Sequence, residues 1–453
     1  MKVAIVTHSS TFEDRAEAVA QFFEGKGHTA VRVFSDFDHH GKRTVQREAE
    51  NHVYIHLRPY TRNLSLTRLM AIRRFALDAG AYLESGGFDL IYFMIPANSF
   101  AAEAERIRRK TGVRVIFDLI DLWPESLPLR AAAHLTPIRR WRNLRDHHLG
   151  CADVIFTECG FYREQLDLPE NRTYTLYWCK LSGDNKYRAS GERIRTDSGG
   201  EPNPEKTGVH DVAAEDFVAE DVTAEDFVAE DVAADDIVAH DAAVHDAVIH
   251  EAMDRKSSCP EQSLRIAYIG AINNIIDIPR IAYLLGALNR RRKVIADIIG
   301  EGEHRDDFIR ELRNSGVETV CRGAVYEEDR KAEILSRCCL GINVMRTDVH
   351  VGLSMKSIDY LSYGVPLINS IKGDLWEFAS TCGIGVNIPD NLMTMTEEDL
   401  NLLLDRLIAV AEDPQARRKC VDLYRRNFTQ EAFDRTLERA LEEQKILSQS
   451  STQ

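Results

Sequence analysis

No apolar run in this chain of 453 residues approaches the roughly 20 residues that a membrane-spanning helix requires. The start, Met1-Lys2, leads straight into a short apolar strand and not into a signal-peptide core. There is no CxxC pair, and the nine cysteines are odd in number and scattered, with Cys338 and Cys339 adjacent. That is the usage of reduced thiols in a cytosol, and it argues against a disulfide framework. No GxGxxG fingerprint follows the first strand, which weighs against a nicotinamide dinucleotide. No DxD motif is placed to hold a metal beside a diphosphate, so no metal ligand and no cofactor is expected. Lys and Arg are absent between Val209 and Glu251, where 14 Asp and Glu fall. This stretch accounts for −14 of the formal charge of −15 and leaves −1 for everything else. The acidity therefore says nothing about a substrate of the folded part.

What is present is a repeated alternation of apolar strands with helical patterns, at a length that suits two domains. In the first half the predicted strands are Lys2 to Thr7, Ala30 to Phe34, Leu90 to Ile95, Val113 to Leu119 and Val154 to Thr157. They are continuous apolar runs, as strands covered on both faces must be. In the second half they are Leu264 to Gly270, Val294 to Ile299, Val317 to Cys321, Gly341 to Val344 and Val365 to Asn369. The fold class expected is α/β, with two Rossmann-like, doubly wound domains facing a cleft. Residues 1–182 form the first domain and 263–428 the second, and a helix in 429–453 braces the first.

Residues 183–262 break this pattern. From Val212 to Glu251 the chain repeats every five residues (VAAED, FVAED, VTAED). Five residues advance a helix by about 140° beyond a full turn, so the apolar positions wind around it and form no stripe. The segment reads as a low-complexity acidic insert without a packed core. A metal-binding tract built on His240, His245 and His250 is the sharper alternative, but that spacing does not bring the side chains to one face.

In a parallel sheet, ligands bind where strands run into loops and helices, and helix amino termini hold phosphate. The stretch 341–374 is such a joint. Its helix runs from about Met355 to Gly364, with Lys356 in the first turn and Asp359 three residues on. A cation beside a carboxylate suits the phosphates and ribose of a nucleoside diphosphate. An amphipathic helix with a capping Ser354 and an exposed lysine is the plain alternative. In the first half, His8 and Asn98 lie in loops at strand ends. The segment Asp118 to Ser126 (DLIDLWPES) sets Asp118, Asp121 and Glu125 around Trp123 and Pro124. Trp123 is of a type that stacks on a sugar face, and Asp121 or Glu125 of a type that holds hydroxyls or takes a proton. Helix capping by the carboxylates and core filling by the indole account for the same residues.

The string Ser354-Met355-Lys356-Ser357-Ile358-Asp359-Tyr360, followed by Gly364 and Pro366, resembles the donor-binding signature of family 4 glycosyltransferases, which have the GT-B fold. DLWPES is similar to a segment in a subset of that family that builds bacterial surface polysaccharide. The resemblance implies a retaining, metal-independent transfer of sugar from a UDP- or GDP-sugar to a glycan or lipid-linked acceptor. It implies that Asp359 binds the donor ribose and that Lys356 stabilises the leaving diphosphate. It places Gly270, Asn273, Asn274, Gly300, Gly302, Arg322, Gly323, Ser354 and Met355 around the donor. It leaves Asp121 or Glu125, with His8, Asn98, Asp118 and Trp123, to the acceptor side. Val351, Ile120 and Asn273 stand where the family usually has a Glu, a His and a basic residue. A nucleotide-sugar epimerase of the same fold, or a nucleotide-binding scaffold, are the alternatives.

Basic residues cluster at Arg58, Arg62, Arg68, Arg73 and Arg74, and again at Arg139, Arg140, Arg142 and Arg145 around Trp141. This face suits peripheral contact of a cytoplasmic protein with the inner face of an anionic membrane. Solvated helix faces with i,i+4 pairs, such as Arg142 with Asp146, account for it equally. No recognised nucleic-acid module accompanies the charge.

Overall fold

The computed structural model describes residues 1–39, 41–62, 65–126, 135–179, 263–349 and 351–447. The acidic repeat, and with it the reading of 183–262, lies outside the described residues. The strands in chain order are β1 (Lys2–Val6), β2 (Thr29–Ser35), β3 (Phe37–Asp38), β4 (Arg43–Thr44), β5 (His52–Ile55), β6 (Leu90–Ile95), β7 (Arg114–Leu119), β8 (Val154–Thr157) and β9 (Thr173–Thr175). They continue with β10 (Ser263–Ile269), β11 (Lys293–Ile299), β12 (Glu318–Gly323), β13 (Leu340–Asn343), β14 (Leu367–Asn369) and β15 (Gly385–Asn387).

The chain divides into two compact units, each built on one sheet. The sheet of the first has the order β5-β2-β1-β6-β7-β8-β9 and is parallel throughout. Its apolar strands are covered on both faces. One core gathers Phe75, Phe93, Phe100 and Phe117 with the helices Leu66–Ser85 and Ser99–Thr111. The other gathers Ile5, Phe23, Tyr92 and Phe156 with Phe433, Leu437 and Leu441 of the last helix, Gln430–Glu443. Residues from Phe433 onward thus belong to the first unit.

The second sheet is also parallel, in the order β12-β11-β10-β13-β14-β15. Its core includes Leu264, Ile266, Val294, Ile342 and Ile368, closed by Leu403 and Leu407 of the helix Glu397–Glu412. Both sheets are doubly wound. In the first the strand order reverses between β1 and β6, and in the second between β10 and β13. In doubly wound sheets a crevice opens at such a reversal, because successive crossover helices leave it toward opposite faces.

Candidate active site

In the second unit the loops after β10, β11, β12 and β13 crowd together at the carboxyl edge. Gly270 N donates to Ile299 O at 2.9 Å, Ile272 N to Glu301 O at 2.9 Å and Gly300 N to Gly323 O at 2.8 Å. Contacts this close leave no room for side chains. A Cβ on Gly300 would lie 2.0 Å from Gly270 O, and one on Gly302 2.4 Å from Ile272 O. Both glycines also have positive φ, 150° and 147°, which L-residues avoid. Glycine is needed at both positions.

The helix Met355–Ser362 starts at the reversal of the second sheet, with Ser354 at its N-cap, Met355 exposed, and Lys356 and Asp359 both half-buried. The Lys356 ammonium lies over the ring of Tyr268, 4.9 Å from its centre. Burial lowers the Lys356 amine to about 8, because desolvation disfavours the charged form. A cation held on an aromatic face and short of water gains from an arriving anion. Tyr268, fully buried on β10, was not singled out from sequence; its position just ahead of the Gly270 loop was the available signal.

Other residues expected around the donor have local partners. Asn273 Oδ1 accepts from Ile275 N at 3.2 Å, a turn-forming bond. Asn274 Oδ1 lies 2.7 Å from His304 Nε2. The Arg322 guanidinium pairs with the fully buried Asp297 at 2.8 Å. That ion pair fixes the end of β12, and Gly323 follows it with φ 67°. A recess beside this loop is lined by Arg322, Ala324, Val325, Glu327 and Arg330.

In the first unit, His8 follows β1 and Asn98 follows β6, on the two sides of that sheet's reversal. His8 is fully buried, with the rings of His39, Trp123 and Phe100 at 5.8, 6.2 and 6.3 Å. Neither of its ring nitrogens has a hydrogen-bond partner. Burial first, then the charges of His39 and Arg68, hold its pKa well below the ordinary value, so the imidazole is neutral. Asn98 Nδ2 donates to Trp123 O at 2.9 Å and Trp141 O at 3.2 Å. Those two carbonyls fix its orientation and leave Oδ1 as its open atom.

The acidic segment after β7 separates into different roles. Asp118 is fully buried and accepts from Arg15 Nε at 2.7 Å and from the Tyr92 hydroxyl at 2.7 Å. Its other oxygen accepts from Arg15 Nη2 at 2.9 Å, so both oxygens have partners within the first unit's core. Glu125 accepts from Arg145 at 2.8 and 3.1 Å, and the Arg145 side chain is fully buried. Trp123 is 9% exposed within the core and lies under the Arg68 guanidinium at 4.6 Å. Its ring face is occupied, and its Nε1 donates to Asp121 Oδ2 at 2.7 Å. Burial raises the pKa of Asp121 above the ordinary value. Glu158, just beyond β8, was missed. Burial pushes its carboxyl up to about 8, and the negative charges of Asp121 and Asp118 add to the effect against the pull of Arg15. The signal was there, since an acid directly after a strand in a parallel sheet lies at the ligand-binding edge.

The sequence matches no protein-family model and no curated protein. The structure resembles solved structures over nearly the whole chain. Sucrose-phosphate synthase from Thermosynechococcus elongatus has a TM-score of 0.60 at 11% identity, covering 99% of this chain and 100% of that one. The lipopolysaccharide outer core galactosyltransferase WaaB gives 0.54 at 12% identity, covering 97% and 99%. UDP-GlcNAc 2-epimerase from Neisseria meningitidis, bound to UDP-GlcNAc, gives 0.51 at 11%, covering 98% and 100%. At these identities the likeness shows the fold, which is GT-B. Transferases and an epimerase share it, so the reaction has to be argued from residues.

Proposed function

We propose that the chain is a glycosyltransferase that takes a sugar from a UDP- or GDP-sugar and passes it to a glycan or lipid-linked acceptor. The observation that carries this reading is Lys356, a desolvated cation at the start of a helix at the reversal of the second sheet. In the transfer, the bond from the anomeric carbon to the diphosphate breaks and a bond to the acceptor oxygen forms. Negative charge grows on the leaving diphosphate, where Lys356 and the helix amides stabilise it. Asp359 holds the ribose hydroxyls. Asp121, with the open atoms of His8 and Asn98, orients the sugar or the acceptor. The family 4 resemblance implies retention of configuration without a metal, the acceptor proton passing to the departing phosphate.

A surface-polysaccharide acceptor follows from the DLWPES resemblance, and WaaB, a structural neighbour, acts on lipopolysaccharide. Arg58, Arg62, Arg73 and Arg74 are exposed beside exposed Leu66 and Met70. Such a face favours an anionic membrane by about 1 kcal/mol per charge near the surface. Among the described residues, no helix is long and apolar enough to cross a membrane.

The test is a panel of UDP- and GDP-sugars, with nucleotide release followed with and without a membrane extract. Release that depends on the extract supports transfer. Tight nucleotide binding without release from any donor contradicts it and favours a scaffold. The epimerase reading is kept alive by the bound UDP-GlcNAc of the Neisseria neighbour. Conversion of the sugar to its epimer with no acceptor present would establish that alternative.

A further inference from the structure

Three asparagines stand at the carboxyl ends of adjacent strands of the second sheet: Asn343 on β13, Asn369 on β14 and Asn387 on β15. They are paired in register, Asn343 with Asn369 and Asn369 with Asn387. Asn343 and Asn369 are fully buried. Their amides are joined in one line. Asn343 Nδ2 donates to Asn369 Oδ1 at 3.0 Å, and Asn369 Nδ2 to Asn387 Oδ1 at 2.7 Å. Asn387 Nδ2 donates to Trp376 O at 2.8 Å.

Backbone groups fix the direction of this line. Ile371 N donates to Asn369 Oδ1 at 3.2 Å, and Ile371 O accepts from Asn369 Nδ2 at 2.9 Å. A backbone N–H cannot accept and a carbonyl cannot donate, so the amides cannot be turned over. Asn343 is thereby left with its Oδ1 open at the inner end, and there it accepts the hydroxyl of Ser354 at 2.9 Å.

Ser354 is the N-cap of the helix that carries Lys356. A serine in that place ordinarily turns its oxygen onto the amides of the first helical turn. Here its oxygen takes no amide and lies 3.1 Å from the Ser357 hydroxyl, while Ser357 N donates to Ser354 O at 3.0 Å. The amides of Met355 and Lys356 are left without a side-chain cap, next to the half-buried ammonium.

We propose that Asn343, Asn369 and Asn387 are positioning residues that hold the Ser354 hydroxyl away from the amides of its own helix and so keep those of Met355 and Lys356 open for the donor diphosphate. The proposal rests on the donor site proposed above and adds the device that keeps it open. It predicts competition: when Asn343 no longer holds it, the serine caps the helix and displaces the anion.

The experiment uses the full chain and calorimetric affinities for UDP, GDP, uridine and guanosine. Asn343→Ala should weaken whichever diphosphate the wild type binds by about fivefold, the scale of a lost or gained cap, and leave the matching nucleoside unchanged. Adding Ser354→Ala to that variant should restore most of the loss, since no hydroxyl remains to compete. An unchanged diphosphate affinity overturns the proposal, and so does an equal loss for the nucleoside or a double variant no better than the single. Should Asn343→Ala fail to fold, Asn387→Ala at the outer rung should give a smaller loss confined to the diphosphate, and no loss there overturns the proposal. A wild type that binds neither UDP nor GDP contradicts the donor site itself. A wild type that binds while both variants behave like it contradicts only the asparagine line.

Discussion

At the scale of single residues, two ionisable groups lead to predictions of opposite form. Burial brings Lys356 down to about 8, and only its protonated form grips phosphate. Affinity for UDP or GDP should therefore fall as pH rises through about 8. Lys356→Arg, whose guanidinium stays charged, should flatten the profile, and calorimetry between pH 6.5 and 9.5, values on the order of one unit either side of that pKa, checks both. A wild-type profile flat over that range would contradict the role given to the amine. Glu158 is pushed the other way, from 4.5 to about 8. The folded chain then holds a proton that the unfolded chain has released, and stability drops as pH climbs through that window. Glu158→Gln should raise the thermal midpoint at pH near 8.5 and leave it unchanged at a pH about one unit below the ordinary carboxyl value. No difference between wild type and variant at the higher pH would mean that the carboxyl is not held neutral.

Which acid does what was only partly legible in the letters. Asp118, Asp121 and Glu125 stand within one short segment, and their types and spacing are equally suggestive. Their partners decide between them. Arg15 lies 103 positions from Asp118, and Arg145 lies 20 from Glu125. Pairing across such distances is a product of the fold and is not written in local spacing. Lys356 and Asp359 stood out because helix geometry alone puts them near each other. Removing the carboxylate in Asp359→Ala should cost about 1.5–3 kcal/mol of nucleotide affinity, the scale of a hydrogen bond to a charged group. Titration with UDP and GDP measures it, and an unchanged affinity would place the ribose elsewhere.

At the scale of elements, the buried central strands were plain in the sequence, because a short, continuous apolar run between turn residues is what a strand covered on both faces requires. The edge strands β5, β9 and β15 and the ribbon of β3 with β4 were not singled out. They are two to four residues long, and their pairing comes from neighbours already in place. The tight meeting of the loops after β10 and β11 was also hidden, since a glycine after a strand reads first as a turn. Gly300→Ala should destabilise the second unit by roughly 1–3 kcal/mol, from backbone strain and overlap together. Denaturant unfolding monitors this, and a loss under about 0.5 kcal/mol, the size of an ordinary surface change, would mean that the loops can part.

At the scale of the whole molecule, the GT-B fold was legible because two runs of strand–helix alternation flank a segment of quite different composition. The acceptor was not, since a hydroxyl-bearing partner leaves no single pattern of residue types. Nearly all of the net charge lies in the acidic repeat, outside both runs of strand–helix alternation. Deleting residues 205–255 should leave donor turnover close to that of the full chain. A deletion variant that no longer folds would give the repeat a structural role.

The most direct measurement is a crystal structure of the full chain grown with UDP or GDP, whichever calorimetry finds to bind. The diphosphate should lie within hydrogen-bond reach of Lys356 Nζ and the first-turn amides of the helix Met355–Ser362, with the ribose at Asp359. A diphosphate bound elsewhere, with Lys356 still resting on Tyr268 and no ligand beside it, would contradict the account.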